Sequence, residues 1–256
     1  AQDGFRGVEF LFPYAWSAQD IQARLRAHDL QQVLLNTPAG GLDAASADAL
    51  WQQGHRGTAS IPGRENEFRA GVELALRYAQ ALGCPRIHVM AGLLPTGAHF
   101  EDHLDTYQRN LQWAARQASA IDCDVLIEPI NTRDIPGYYL NRQAQAHDVV
   151  LAVGEPNLKV QMDLYHCQIV EGDVAHKVAQ YLPTGRVGHF QIAGVPQRHE
   201  PDLGELNYPF LFNLIDELSD QWEWRGWIRW EYRPKLGGQA GGTSAGLHWL
   251  RSLQTL

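Results

Sequence analysis

The sequence predicts an α/β protein of the closed (β/α)8 TIM-barrel class, and three observations carry that prediction. Short apolar runs alternate with helix-length amphipathic segments along the whole of the 256 residues. That is the pattern of right-handed βα units on a parallel sheet. The strand candidate at Val125-Leu126-Ile127 is a continuous apolar run, which suits a strand buried on both faces between a core and a layer of helices. No Gly-rich phosphate turn follows any strand candidate, which sets aside the doubly wound open sheet.

Taken in order, Ala1 to Arg6 reads as the tail of a helix and its turn, running into a strand at Gly7 to Phe12. Ser17 is placed to cap a helix that carries Ile21 and Leu25 to about His28. Gln32 to Asn36 is the second strand. Thr37 to Arg64, rich in Gly, Ala and Pro, reads as a long loop, functional or mobile. Phe68, Val72, Ala75, Leu76 and Ala79 give Glu65 to Leu82 a helical period, and Gly83 stops it. Five more pairs follow: strand 86–90 with helix 102–119, strand 124–130 with helix 141–153, strand 158–163 with helix 173–182, strand 187–192 with helix 208–218, and strand 227–232 with helix 243–253.

Seven strands are recognisable, and a closed barrel has eight. A further strand and most of a helix are therefore expected before Ala1, because a barrel short of one strand exposes two edges. Residues 1–256 otherwise read as one domain, an ordinary length for one barrel. The formal charge of −8 lacks the cationic footprint of a nucleic-acid binder. No window reaches the apolar length of a membrane span. Cys84, Cys123 and Cys167 are too few and too scattered for a disulfide framework or a Cys-based zinc site. The expectation is a cytoplasmic enzyme of small molecules, with no nucleic acid or membrane as partner, whose composition is compatible with a homo-oligomer.

Barrel ligands gather at the C-terminal ends of strands, and Glu128, Asp163, Gln191 and Glu231 each stand there on a different strand. Three carboxylates converging on one point repel unless a cation neutralises them. All-oxygen donors favour a hard divalent ion, Mg²⁺ first and Mn²⁺ as the alternative. The tryptophans Trp222, Trp224, Trp227 and Trp230 read as packing.

The motifs Ile127-Glu128-Pro129-Ile130-Asn131-Thr132-Arg133-Asp134, Gln161-Met162-Asp163-Leu164-Tyr165-His166, Gly188-His189-Phe190-Gln191 and Trp230-Glu231-Tyr232-Arg233-Pro234 together resemble the hydroxypyruvate isomerase family of xylose-isomerase-like TIM barrels. Ile61-Pro62-Gly63-Arg64-Glu65, His88-Val89-Met90 and Arg198-His199-Glu200-Pro201 extend the likeness over essentially the whole chain. One departure is Arg229-Trp230, where that family usually carries Gly-Cys before the last glutamate. The resemblance implies divalent-metal binding by Glu128, Asp163, Gln191 and Glu231, with Glu128 and Glu231 as the acid/base pair. The implied reaction moves a carbonyl along a small hydroxy-keto acid, converting hydroxypyruvate to tartronate semialdehyde through an enediolate. Which glutamate takes the proton and which returns it is left open. Substrate contacts are expected from His166, Arg198, His199 and His88, Arg198 being first choice for the substrate carboxylate and Arg64 a distant reserve. A 2-oxo-tetronate isomerase, a ketose 3-epimerase and a non-catalytic metal or sugar-acid binder are the competing readings.

Overall fold

The structure is a computed structural model describing residues 1–237 and 241–253. The chain divides into two compact units, residues 1–160 and the part from Gln161 onward.

In the first unit five parallel strands follow one another in chain order. They are β1 (Gly7–Phe10), β2 (Gln31–Asn36), β3 (Arg86–His88), β4 (Asp124–Ile127) and β5 (Leu158–Asp163), the last running on into the second unit. The crossovers carry helices α1 (Ala18–Ala27), α2 (Ala44–Gln52), α3 (Glu65–Leu82), α4 (Phe100–Ser119) and α5 (Gln143–Val153). Helix α1 starts where Ser17 Oγ accepts the Asp20 N–H at 3.1 Å, and it buries Ile21 and Leu25. Helix α3 buries Phe68, Val72, Ala75 and Ala79 along one stripe. It ends at Gly83, whose φ of 63° is a conformation glycine adopts without steric cost. These stripes meet Leu35, Ile87, Val125, Ile127 and Val160 of the strands in one apolar core.

Three expectations need correction here. Residues Ala1 to Arg6 form a turn, closed by Gly4 N–H on Ala1 O at 2.9 Å, and not the end of a helix. The stretch read as one long loop contains α2, because Asp43 caps it by accepting the Ser46 N–H at 3.0 Å. Strands β1, β3 and β4 stop two or three residues early, where the chain leaves its ladder to build loops.

In the second unit the end of β5, β6 (Val187–Ile192) and β7 (Ile228–Trp230) lie in that order. Strand β6 sets Phe190, Gln191 and Ile192 against Ile228, Arg229 and Trp230 of β7. Helices α6 (Leu164–Val170), α7 (Val174–Tyr181), α8 (Tyr208–Trp222), α9 (Gly242–Ala245) and α10 (His248–Leu253) complete it. Met162, Leu164, Val178, Phe190, Ile192, Leu211 and Ile215 make its core. Trp224 packs edge-on against Phe190 and donates its indole N–H to Val187 O at 2.8 Å, while Trp230 lies 5.0 Å from the Trp249 ring. Trp224 and Trp230 are thus packing residues, whereas Trp222 is half exposed. With Trp230 turned to Trp249, alternation sends Arg229 and Glu231 to the opposite face. The closing helix expected at 243–253 is two short helices with Gly246 between them. Among the described residues no helix is long and apolar enough to cross a membrane.

Candidate active site

The polar residues of interest stand at or just beyond strand ends, where the backbone leaves the ladder. In the first unit Glu128 is the first residue after β4, with a carboxylate only 5% exposed. A buried carboxylate needs partners close by. His88, at the end of the neighbouring β3, brings Nε2 to 3.7 Å from Glu128 Oε2. Behind them Tyr138 is buried, its phenol oxygen accepting the Ala91 N–H at 2.9 Å. Burial first, and the Glu128 charge second, push this phenol above its ordinary range against the pull of that N–H, so it stays a neutral hydroxyl. Asn131 starts the following loop by accepting the Asp134 N–H on Oδ1 at 2.8 Å.

In the second unit Asp163 ends β5 and at once caps α6. Its Oδ1 accepts the N–H groups of Tyr165 at 2.7 Å and His166 at 3.3 Å. Its Oδ2 lies 3.6 Å from His166 Nε2, two atoms of the kind that ligate a metal. Gln191 is buried on β6, and its Oε1 accepts an N–H of Gln161, from β5, at 2.7 Å. Glu231 follows β7 directly. Arg198 sits between two of these acids, Nη2 at 3.1 Å from Glu231 Oε2 and 4.0 Å from Asp163 Oδ2. Its guanidinium also lies over the Tyr165 ring, with Cζ 5.0 Å from the centroid. His199 turns instead to the loop backbone, its Nδ1 2.9 Å from Arg233 O. A carbonyl only accepts, so Nδ1 carries the proton. Arg64, on the first unit, is taken up by a 2.7 Å pair with Glu67.

Several contacts of this arrangement had no sequence signal. Tyr165 under Arg198 and Gln161 behind Gln191 are found only from the fold, although alternation does put Gln161 on the face of Asp163. Tyr208 repeats the role of Tyr138. It donates to Ala193 O at 2.8 Å and accepts the Ala193 N–H at 3.2 Å. Burial, and then the Asp163 charge, raise its phenol well above the usual value. The three thiols are buried, and burial raises those of Cys84 and Cys167 to about 12, so both are inert as nucleophiles.

The carboxylates and the His166 nitrogen are donors of the kind that hold a metal ion. Glu231 and Asp163 turn carboxylate oxygens towards one positive centre, the Arg198 guanidinium. Gln161 orients Gln191 by donating an N–H to its side-chain oxygen.

The fold and these residues define a parallel α/β protein with acids and a cation at the C-terminal ends of its strands. The model of the xylose isomerase-like TIM barrel matches residues 1–253, and the chain belongs to that family. It is 52% identical to the 2-oxo-tetronate isomerase of Cupriavidus necator, over 98% of this chain and 89% of the relative. It is 43% identical to the hydroxypyruvate isomerase of Escherichia coli, again over 98% of this chain and 89% of the relative. Among solved structures it resembles one described as an AP endonuclease, family 2, from Brucella melitensis, with a TM-score of 0.87 and 42% identity, covering 98% of this chain and 89% of that one.

Proposed function

We propose that the protein is an isomerase that moves a carbonyl between adjacent carbons of a small 3-hydroxy-2-oxo acid. The observation that carries this is the Glu231–Arg198 pair at 3.1 Å, a carboxylate able to move a proton beside a cation able to hold a substrate carboxylate. The substrates in the names of the two relatives share one unit, a C2 carbonyl between a C1 carboxylate and a C3 hydroxyl. In this reading one of Glu128 and Glu231 takes the C3 proton, the hydroxyl proton on O3 passes to O2, and the other glutamate returns a proton to C2 of the enediolate. His88 lies beside Glu128 and His166 beside Asp163, and both would face the substrate hydroxyls. Arg198 meets the C1 carboxylate, since a guanidinium with five donors can serve two groups at once. Glu128, Asp163, Gln191 and Glu231 would hold a divalent metal, Mg²⁺ before Mn²⁺. When bound, that metal would supply positive charge against the negative charge that develops on substrate oxygen.

Hydroxypyruvate, converted to tartronate semialdehyde, is the three-carbon candidate. The 52% identity to a 2-oxo-tetronate isomerase favours the four-carbon acid as a second reading. The name of the Brucella structure suggests nucleic acid, but a net charge of −8 argues against a phosphate backbone as partner. A cytoplasmic enzyme of small acids, working as a monomer or homo-oligomer with no nucleic acid or membrane partner, fits that same charge.

Steady-state kinetics with Mg²⁺ on hydroxypyruvate, 2-oxo-tetronate and neutral glyceraldehyde test the reading. We expect turnover of at least one acid, with incorporation of solvent deuterium at the carbon that gains a proton, and much weaker turnover of the neutral compound. Metal-dependent binding without turnover of either acid would make the protein a binder and end this proposal. The oxygen donor of Gln191 gives a separate check. Gln191→His should shift relative affinity from Mg²⁺ towards Co²⁺ and Zn²⁺, which prefer imidazole nitrogen. Unchanged relative affinities by calorimetry would remove Gln191 from the metal.

A further inference from the structure

We propose that Arg198-His199-Glu200 is a clamp that fixes the position of Glu231, so that His199 and Glu200 are positioning residues of the reaction. The inference rests on the reading of Glu231 as a proton-transfer group. Three consecutive residues of the loop after β6 grip alternate residues of the loop after β7. Arg198 donates from Nε to Glu231 O at 3.3 Å and pairs through Nη2 with Glu231 Oε2 at 3.1 Å. The backbone oxygen of Arg198 accepts the Arg233 N–H at 2.6 Å, and His199 donates from Nδ1 to Arg233 O at 2.9 Å. Glu200, only 4% exposed, receives the Lys235 N–H on both carboxylate oxygens, each at 3.1 Å.

The gripping loop is itself braced. Gly194 donates to His199 O at 2.9 Å, and the Arg198 N–H donates to Gly194 O at 2.7 Å. A side chain at Gly194 would stand 2.2 Å from Leu203 O and 2.4 Å from Glu200 O, so only glycine allows that closeness. On the far side, a Cβ at Gly246 would meet Glu200 Oε1 at 2.5 Å. Arg198 is held at φ 59°, a conformation a non-glycine residue keeps only where its surroundings impose it. Strand β7 ends at Trp230, so Glu231 stands where its own ladder no longer fixes it beyond one bond, Glu231 N–H to Ile192 O at 3.0 Å. Loops of this kind move unless they are tied. A carboxylate that must meet a carbon-bound proton has little tolerance for displacement. The clamp supplies what the strand does not.

The test compares His199→Ala, His199→Asn and Glu200→Gln, each alone and combined with Glu231→Gln, by kcat, KM and melting midpoint on the better of the two acid substrates. With Glu231 in place, His199→Ala and Glu200→Gln are expected to lower kcat about tenfold with KM little changed, the mark of a misplaced group and not of a lost substrate contact. His199→Asn, whose amide N–H takes the place of Nδ1–H, should recover most of the loss. In the Glu231→Gln background the same substitutions should change kcat hardly at all, because residues acting through one group are not additive. Full kcat in folded His199→Ala and Glu200→Gln would overturn the clamp, and so would an undiminished loss in the Glu231→Gln background. Wild-type kcat in Glu231→Gln alone would instead overturn the role of Glu231. If Glu200→Gln does not fold, half-buried His199 carries the test by itself.

Discussion

Glu231→Gln and Glu128→Gln each lower kcat by ~10²-fold or more with Mg²⁺ saturating, the loss typical of removing a general acid or base. The substitution keeps size and one side-chain oxygen but removes the ability to take and return a proton, so proton transfer should suffer far more than substrate affinity. By transition-state arithmetic the loss is about 2.7 kcal/mol or more. Glu128 is the more buried of the two, with His88 Nε2 at 3.7 Å and Tyr138 held as a neutral phenol beside it. In Glu128→Gln an amide meets that surround in place of a charge, and no large loss of stability is expected from so conservative a swap. Glu231→Gln breaks the 3.1 Å pair with Arg198, so its measurement must include metal affinity, lest an empty metal site pass for lost proton transfer. Solvent deuterium exchange into the substrate should fall in parallel with kcat. Near-wild-type turnover in either variant under saturating metal would remove that glutamate from the chemistry.

Strand β4 was legible because burial on both faces writes itself as an uninterrupted apolar run, Val125-Leu126-Ile127. Strands β5 and β6 and helix α3 fall where periodicity puts them. Helix α2 was hidden because it buries only Ala47 and so has no apolar stripe. Its one local signal was the cap, Asp43 three residues before Ser46. Helix α6 was hidden for another reason. It follows β5 with no loop between, and Asp163 serves as strand end, helix cap and candidate ligand together. The strand-end acids could be named from sequence, since position along a strand is local information. Arg198 lying between Glu231 and Asp163 could not, because nothing local reports a contact between loops 33 residues apart. The same limit hid the Lys235 N–H on Glu200 and the Arg233 carbonyl on His199.

Arg198 carries the last expectation, the discrimination between an acid and a neutral substrate. Hydroxypyruvate and 2-oxo-tetronate differ from a neutral triose in their carboxylate, so selectivity requires a cation or directed N–H groups at that end. Arg198 offers a planar guanidinium, stacked over Tyr165 and already fixed by Glu231, so little side-chain freedom remains to be lost when substrate arrives. Losing a charged hydrogen bond to substrate costs ~1.5–3 kcal/mol. Arg198→Ala is therefore expected to lower kcat/KM on the acid by ~10- to 200-fold. Because the same guanidinium holds Glu231, part of that loss will appear in kcat on any substrate. The part due to the carboxylate is the excess loss on the acid over the loss on glyceraldehyde. Arg198→Lys separates the two roles further, since an ammonium keeps the charge but not the two parallel donors. It should recover less of the activity on the acid than on the neutral compound. Equal losses on acid and neutral substrates in Arg198→Ala would assign Arg198 wholly to Glu231, and the carboxylate would then need another partner.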